Sequence, residues 1–154
     1  MNKYTLYNIA AICLLISVSC NSRKIYNHYE HTSVTGWEKH ERLEFNIPPV
    51  QHSGSYALDI GLRINGLYPY MQLALVVEHT VYPSNKTTTE KLNCKLIDER
   101  GKRQGNGTNL VQYNYHLNDL NLNAGDSLHI VIRHDMRREI LPGISDIGIC
   151  VSED

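Results

Sequence analysis

Residues 56–65 alternate strictly between large apolar and smaller or polar side chains, and this pattern constrains the fold more than any other feature of the chain. One side carries Tyr56, Leu58, Ile60, Leu62 and Ile64, and the other carries Ala57, Asp59, Gly61, Arg63 and Asn65. Successive side chains of a β-strand point to opposite faces, whereas a helix repeats every 3.6 residues. The pattern therefore predicts a strand with one buried and one solvent-facing side.

Further segments share this period of two. They lie at residues 42–47, 71–81, 91–96, 111–117, 128–132 and 147–151, with a less regular one near 25–29. Clusters of Pro, Gly, Asn and Asp separate the segments and mark turns. A sheet with one solvent-exposed face is typical of antiparallel sandwiches and not of parallel α/β sheets. We predict an all-β domain over residues 37–154, an antiparallel β-sandwich (jelly-roll or Ig-like) of about eight strands.

The first twenty residues have the features of a secretory signal that ends in a lipidated cysteine. Lys3 gives a positive start, residues 4–18 are mostly apolar, and the run ends in Ser17-Val18-Ser19-Cys20. The run is shorter than the roughly 20 residues that a membrane-spanning helix needs. We predict a lipoprotein signal peptide over residues 1–19, a membrane anchor through acylation of Cys20, and a tether with an edge strand over residues 20–36. A plain signal peptide is the alternative, because Ser17 stands where lipoprotein signals usually carry Leu.

Charge and cysteine content limit the classes of function. The formal net charge is −1, without a basic cluster, so we expect no nucleic-acid partner. Of the four cysteines, only Cys94 and Cys150 lie beyond the signal and the acylated position. Two cysteines are too few for a metal framework. The alternation places Cys94 on an apolar face and Cys150 opposite one, which argues against a disulfide between them.

No spacing of reactive residues indicates catalysis. His28 and His31 are three apart and His129 and His134 are five apart, so neither pair shares a strand face. We interpret these histidines as solvated surface or tether groups. Residues 101–107 are rich in glycine but lack the Lys-Ser/Thr of a phosphate-binding loop. We expect no enzyme, no cofactor, no metal and no small-molecule substrate.

Ten tyrosines and one tryptophan raise the alternative of a glycan-binding module of a surface nutrient system. Exposed aromatic rings on a β-sandwich stack on sugars or contact partner proteins. Tyr113, Tyr115 and Trp37 are interpreted as core, whereas Tyr68 and Tyr70 flank a proline in a predicted turn. The glycan-binding alternative predicts coplanar exposed tyrosines on one sheet or loop edge.

Three stretches in a fixed order carry a family resemblance. They are residues 62–63 with 67–73, residues 98–101 with 105–107, and residues 136–137 with 141–148. Together with Trp37 and Phe45 behind a lipoprotein signal, they resemble the gliding motility lipoproteins of the GldH type from Bacteroidota. The resemblance covers essentially the whole chain. It implies a non-enzymatic structural or scaffold lipoprotein of the outer membrane, which binds other envelope proteins and is associated with gliding motility or its linked secretion machinery.

Charged side chains next to apolar runs, together with the tyrosine turn, are the candidate site residues. They are Arg63, Tyr68, Tyr70, Arg137 and Asp146. We expect the two arginines and the aspartate to form a buried or rim ion pair that fixes one end of the sandwich, with a partner-docking surface as the alternative. Breaking a buried pair costs about 3–5 kcal/mol. The ion-pair interpretation therefore predicts that Arg137→Ala lowers the Tm.

The residues after Cys20 bear on the compartment. They read Asn21-Ser22-Arg23-Lys24 and include no acidic residue. Lipoproteins exported to the cell surface in this phylum tend to carry acidic residues at this place. The stretch favours the periplasmic face of the outer membrane.

Overall fold

The computed structural model describes residues 23–153, which form ten strands. These are β1 (Arg23–His31), β2 (Trp37–Glu38), β3 (Leu43–Ile47), β4 (Gly54–Asn65), β5 (Gln72–Tyr82), β6 (Lys86–Lys95), β7 (Leu110–Leu122), β8 (Ser127–His134), β9 (Ile140–Leu141) and β10 (Ile144–Glu153). The signal peptide and Cys20 lie outside the described residues. Between residues 23 and 153 there is no helix long and apolar enough to cross a bilayer.

Eight of these strands make two antiparallel sheets, in the orders β1-β10-β4-β7 and β3-β8-β5-β6. The short strands β2 and β9 pair only with each other. The chain crosses from one sheet to the other at every connection between the eight strands except the β5–β6 hairpin. This connectivity is the jelly roll. The predicted all-β sandwich is confirmed. Of the two predicted topologies, jelly-roll and Ig-like, the chain has the jelly roll.

The core lies between the sheets and consists of the side chains that the alternation places inward. In the two central strands of each sheet the inward residues are almost fully buried; examples are Leu58, Ile60, Leu62, Leu75, Val77, Ile130, Ile132, Ile147, Ile149 and Val151. Burial of one such side chain is worth about 1.5–3 kcal/mol. The apolar inner faces therefore supply most of the free energy that holds the two sheets together.

The two ends of the sandwich differ in the length of their loops. Residues 32–42, 66–71, 96–109 and 135–143 connect strands at one end, which we call the long-loop end. Residues 48–53, 83–85 and 123–126 connect strands at the other, the short-loop end. Strand β1 begins and β10 ends at the short-loop end, where Arg23 is paired with Glu153. The N-terminal segment thus enters the domain at the short-loop end.

The weakest of the predicted strands is present and is longer than predicted. Residues 23–31, expected to be a tether with an edge strand, form an edge strand along their whole length and pair with β10 from Glu153 to Asp146. A register shift between Lys24 and Tyr26 interrupts the pairing once. This shift explains why the alternation near 25–29 is irregular in the sequence.

The two described cysteines face as predicted. Cys94 is buried on the inner face of β6, whereas Cys150 is only partly buried on the outer face of β10. Both are free thiols. Burial raises the pKa of the Cys94 thiol to about 12.

Candidate functional site

All five candidate site residues lie at or beside the long-loop end. Tyr68 and Tyr70 belong to the loop of residues 66–71, and Arg137 belongs to the loop of residues 135–143. Arg63 and Asp146 are cross-strand partners on β4 and β10, close to where both strands meet these loops. The three stretches that carry the family resemblance also converge here. The long-loop end is therefore the candidate functional site.

The tyrosine turn is held in place by contacts of both rings. The rings of Tyr68 and Tyr70 meet edge to face with their centroids 5.5 Å apart. The Tyr68 hydroxyl donates a 2.8 Å hydrogen bond to the carbonyl of Gln72, and both rings pack against the core. Burial raises the pKa of Tyr68 far above its ordinary value. The hydroxyl and the ring of Tyr68 are therefore largely occupied by contacts within the loop, and little of either is accessible to a ligand.

Two of the long loops lock against each other at Gly143. The carbonyl of Gly143 accepts a 2.8 Å hydrogen bond from the amide of Asn65. Its φ is +83°, and a β-carbon here would overlap the backbone of Leu67 and Tyr68. Only glycine fits this conformation and this close approach. The 66–71 and 135–143 loops consequently form one surface.

Arg63 packs on an aromatic ring instead of pairing with an acid. Its guanidinium carbon lies 3.9 Å from the centroid of Tyr29 on β1. The Tyr29 ring in turn covers Gly148 and Gly61, which are successive cross-strand partners on β10 and β4. Gln112 of β7 donates a 3.3 Å hydrogen bond to the Tyr29 hydroxyl. We call this group of five residues the Tyr29 clasp, and it fastens the first strand to the rest of its sheet.

The expected ion pair between Asp146 and an arginine is not formed among the described residues, so this prediction is wrong. Asp146 is 2% exposed, and its carboxylate contacts the ring Nδ1 of His31 and accepts a 2.7 Å hydrogen bond from the Ser145 hydroxyl. Arg137 is exposed in its loop. The partner of Asp146 comes from β1 because β1 pairs with β10 along its length, a register that strand periodicity does not reveal.

Another expectation that the structure overturns concerns His134. Its ring is fully buried at the end of β8, and it meets Trp37 edge to face with centroids 5.2 Å apart. Trp37 Nε1 donates a 3.2 Å hydrogen bond to the carbonyl of Glu41, which folds the 32–42 loop over the core. Burial lowers the pKa of His134, and the positive charge of Lys39 acts in the same direction. His134 thus belongs to the support of the long-loop end and not to a solvated surface.

The long-loop end also collects exposed apolar side chains. Of the six large hydrophobic side chains that are exposed among residues 23–153, five lie in or next to the long loops: Val34, Leu67, Met71, Leu110 and Ile140. The sixth, Tyr82, lies toward the short-loop end. Scattered single exposed hydrophobics are ordinary, but these five gather at one end of the domain. Within the described part of the chain, no group of three or more His, Cys, Asp or Glu side chains is arranged to hold a metal ion.

The fold and this end together define a class of protein: an all-β jelly-roll domain whose long loops are joined at one end. The sequence model of the GldH lipoprotein family matches residues 24–151. The chain therefore belongs to the GldH lipoprotein family.

The chain matches two curated relatives over nearly all of their length. The chain is 24% identical over 152 residues to the gliding motility lipoprotein GldH of Flavobacterium johnsoniae, covering 94% of each protein. It is 23% identical over 149 residues to a GldH homolog of Christiangramia forsetii, covering 91% of this chain and 90% of that protein. Among solved structures, a GH115 4-O-methyl-α-glucuronidase aligns with 88% of this chain and 18% of its own, at 11% identity and a TM-score of 0.46. A likeness at that level carries no argument about function. The relatives are gliding-motility-associated lipoproteins.

Proposed function

We propose that this protein is a non-enzymatic scaffold lipoprotein of the outer membrane, anchored through Cys20, which presents its long-loop end to another protein of the envelope. The observation that carries the proposal is that the two ends of the domain differ: the chain enters at one end, and the exposed apolar side chains gather at the other. Family membership supports an association with gliding motility or its linked secretion machinery.

The anchor sits very close to the domain in the sequence. Only Asn21 and Ser22 separate Cys20 from Arg23, where β1 begins. Three residue steps reach at most about 11 Å. An acylated Cys20 would therefore hold the short-loop end near the bilayer surface. A strand of the length of β4 spans about 40 Å, so the long-loop end would stand well clear of the membrane.

A protein partner fits the long-loop end better than a sugar does. Leu67 and Met71 are exposed by 71% and 55%, and no hydrogen-bonding function accompanies these aliphatic side chains. Arg137 and Arg138 are exposed on the neighbouring loop, beside Tyr70, and arginine is enriched in protein interfaces. The partner we propose is an envelope protein with a complementary apolar patch.

The glycan-binding alternative receives little support from the aromatic residues at this end. Tyr68 and Tyr70 are tilted by 74° to each other and are half-buried, so they do not form a flat platform. Tyr113 and Tyr115 are nearly parallel, at 8°, but Tyr113 is buried and the Tyr115 hydroxyl donates to the carbonyl of Lys95. Neither pair presents the coplanar exposed rings that the alternative requires.

The proposed compartment rests on the residues after the anchor. The sequence Asn21-Ser22-Arg23-Lys24 has no acidic residue, which favours retention on the periplasmic face of the outer membrane. Cell fractionation, followed by protease treatment of intact and permeabilised cells, tests this part separately. Digestion only after permeabilisation is expected, and digestion on intact cells would contradict the periplasmic orientation.

Affinity capture from detergent-solubilised native membranes tests the docking proposal. The lipidated, tagged chain is expected to retain stoichiometric envelope proteins, and the double variant Leu67→Asp with Met71→Asp is expected to lose them. Tyr82→Asp is the matched control, because it also places a charge at an exposed apolar position but toward the other end. Equal retention by all three chains, or loss only with Tyr82→Asp, would refute the assignment of the long-loop end.

A further inference from the structure

The interior of the sandwich becomes polar near the short-loop end, on the side where β6 and β7 face each other. The inward positions of β5 read Leu73, Leu75, Val77 and then His79. Opposite His79 on β6 stands Thr88, and opposite Val77 stands Glu90. The alternation reserves all these positions for the core. Polar residues at core positions are the places where function is expected to override folding rules.

A β-bulge in β7 brings a further polar side chain into this region. The pairing of β4 with β7 shifts by one residue between Leu58 and Asp59. Leu58 pairs with Asn118 and Asp59 pairs with His116, so Leu117 has no directly opposed residue on β4. A shift of one residue turns every later side chain to the other face of the strand. Without the bulge, Asn118 would point outward. Bulges of this kind re-aim side chains next to functional sites.

The polar side chains bond across the gap between the two sheets. Asn118 Nδ2 of β7 donates to Glu90 Oε1 of β6. His79 is 3% exposed, and its Nδ1 lies 3.8 Å from the same carboxylate oxygen, beyond hydrogen-bonding distance. Two buried polar atoms, His79 Nδ1 and Asn118 Oδ1, therefore have no hydrogen-bond partner among the described residues. A buried polar atom without a partner costs about 1–3 kcal/mol, so this part of the interior is less stable than an apolar one would be.

His79, Thr88 and Asn118 line an open cavity of about 700 Å³, a size typical of small-molecule sites. Its polar lining is dominated by amide, hydroxyl and carboxylate groups, including those of Ser84, Thr88, Asn121 and Asp126. Its apolar lining comes from Val81, Pro83, Leu120 and Leu122. The polar and the apolar lining residues thus face the same cavity.

We propose that this cavity, the β6–β7 cleft, binds a neutral saccharide of about two sugar units. A sugar ring offers hydroxyls that both donate and accept, which suits the hydroxyl and amide groups of Ser84, Thr88 and Asn121 in the lining. Its C–H faces match the aliphatic wall. An anionic ligand is disfavoured because two carboxylates, Asp119 and Asp126, line the cleft and Lys86 is the one lysine or arginine among its lining residues. The site is separate from the long-loop end, and it departs from the expectation that no small molecule is bound.

Two-dimensional NMR of the folded chain, titrated with cellobiose and with N,N′-diacetylchitobiose at millimolar concentrations, tests the proposal. At least one disaccharide is expected to shift the amide signals of cleft residues such as Thr88, Asn118 and Leu120 in a saturable manner. Shifts confined to other surfaces, or no shift with either sugar, would overturn the proposal.

Two variants and a control keep the test specific. Thr88→Val removes a lining hydroxyl without a change in shape, and Asn118→Ala removes the bulge-directed amide; each is expected to weaken binding about tenfold. Asn114→Ala alters an exposed amide of the same strand outside the cleft and is expected to bind normally. If Asn118→Ala does not fold, Thr88→Val alone decides. Unchanged binding by every folded variant would show that the sugar lies elsewhere.

Discussion

The Tyr29 clasp is expected to be sensitive to a single methyl group. A β-carbon added at Gly148 would lie 2.5 Å from Tyr29 Cε1 and 2.6 Å from its Cδ1, closer than van der Waals contact with the ring allows. Real β-carbons do not approach this closely, so either the ring or the backbone of β1 must move in the variant Gly148→Ala. The clasp is thus a place where a small change in volume has a large effect on packing.

The magnitude follows from the contacts that a displaced ring would lose. The stacking of Arg63 on Tyr29 contributes about 0.5–1 kcal/mol at a partly exposed site, and the hydrogen bond from Gln112 contributes about 1 kcal/mol. If the ring stays, overpacking costs about 1–3 kcal/mol. Whether the ring moves or stays, the free energy of unfolding is expected to fall by about 2 kcal/mol. For a domain of this size we expect the Tm to fall by about 5–10 °C.

Urea unfolding followed by circular dichroism, combined with a double-mutant cycle, measures this directly. Gly148→Ala in the Tyr29→Ala background is expected to cost much less than in the parent chain, because the obstacle is gone. Gly54→Ala is the matched control, since a β-carbon at Gly54, also in a strand of this sheet, meets nothing within 4 Å. A parent-like midpoint for Gly148→Ala, or an equal cost in both backgrounds, would refute the reasoning.

Three further predictions concern side chains whose surroundings the structure defines. Burial lowers the pKa of His79 and of His134. Both rings therefore bind a proton less readily in the folded chain than in the unfolded one. The free energy of unfolding is expected to be highest above about pH 6.5 and to decline as the pH falls below that value. Melts across this range should show a smaller decline for His79→Gln and for His134→Gln, and a decline identical to that of the parent chain would contradict the assignment. Because the Cys94 thiol is buried and its pKa is raised to about 12, it should resist a maleimide at about pH 8 in the folded chain and react in urea. Rapid labelling of Cys94 itself in a folded Cys150→Ser chain, read by peptide mass spectrometry, would disprove this. Arg137→Ala is expected to leave the Tm nearly unchanged. Asp146→Asn alters a buried side chain that contacts His31 and accepts a hydrogen bond from the Ser145 hydroxyl, so it should lower the Tm by several degrees; the reverse order of the two variants would favour the arginine ion pair.

Strand content was predictable because each strand buries one face. The alternation in residues 56–65 and 128–132 is a direct consequence of that burial, and the corresponding strands β4 and β8 have the predicted inward residues. The same signal places His79 on the apolar face of β5, so its burial was accessible from the sequence although it was not singled out. Two-residue strands such as β2 and β9 carry no periodic signal, which is why about eight strands were predicted and not ten.

The site depended on information that periodicity does not hold. The pairing of β1 with β10 brings His31 to Asp146 across more than a hundred residues, and no local pattern specifies that register. The bulge in β7 reverses the facing of Asn118, whereas a strict period of two would place it outside. Glycines inside strands, as at Gly61 and Gly148, were the available hint that another side chain approaches the backbone closely.

The orientation of the domain on the membrane is the central claim, and a distance measurement tests it most directly. Gly66 at the long-loop end and Ala124 at the short-loop end are exposed, and each would be replaced by cysteine in a Cys150→Ser background of the lipidated chain and labelled with a fluorophore. With the chain anchored in vesicles that contain an acceptor dye in the lipid headgroups, we expect strong energy transfer from the label at position 124 and weak transfer from the label at position 66. Equal transfer from both positions, or stronger transfer from position 66, would contradict the account.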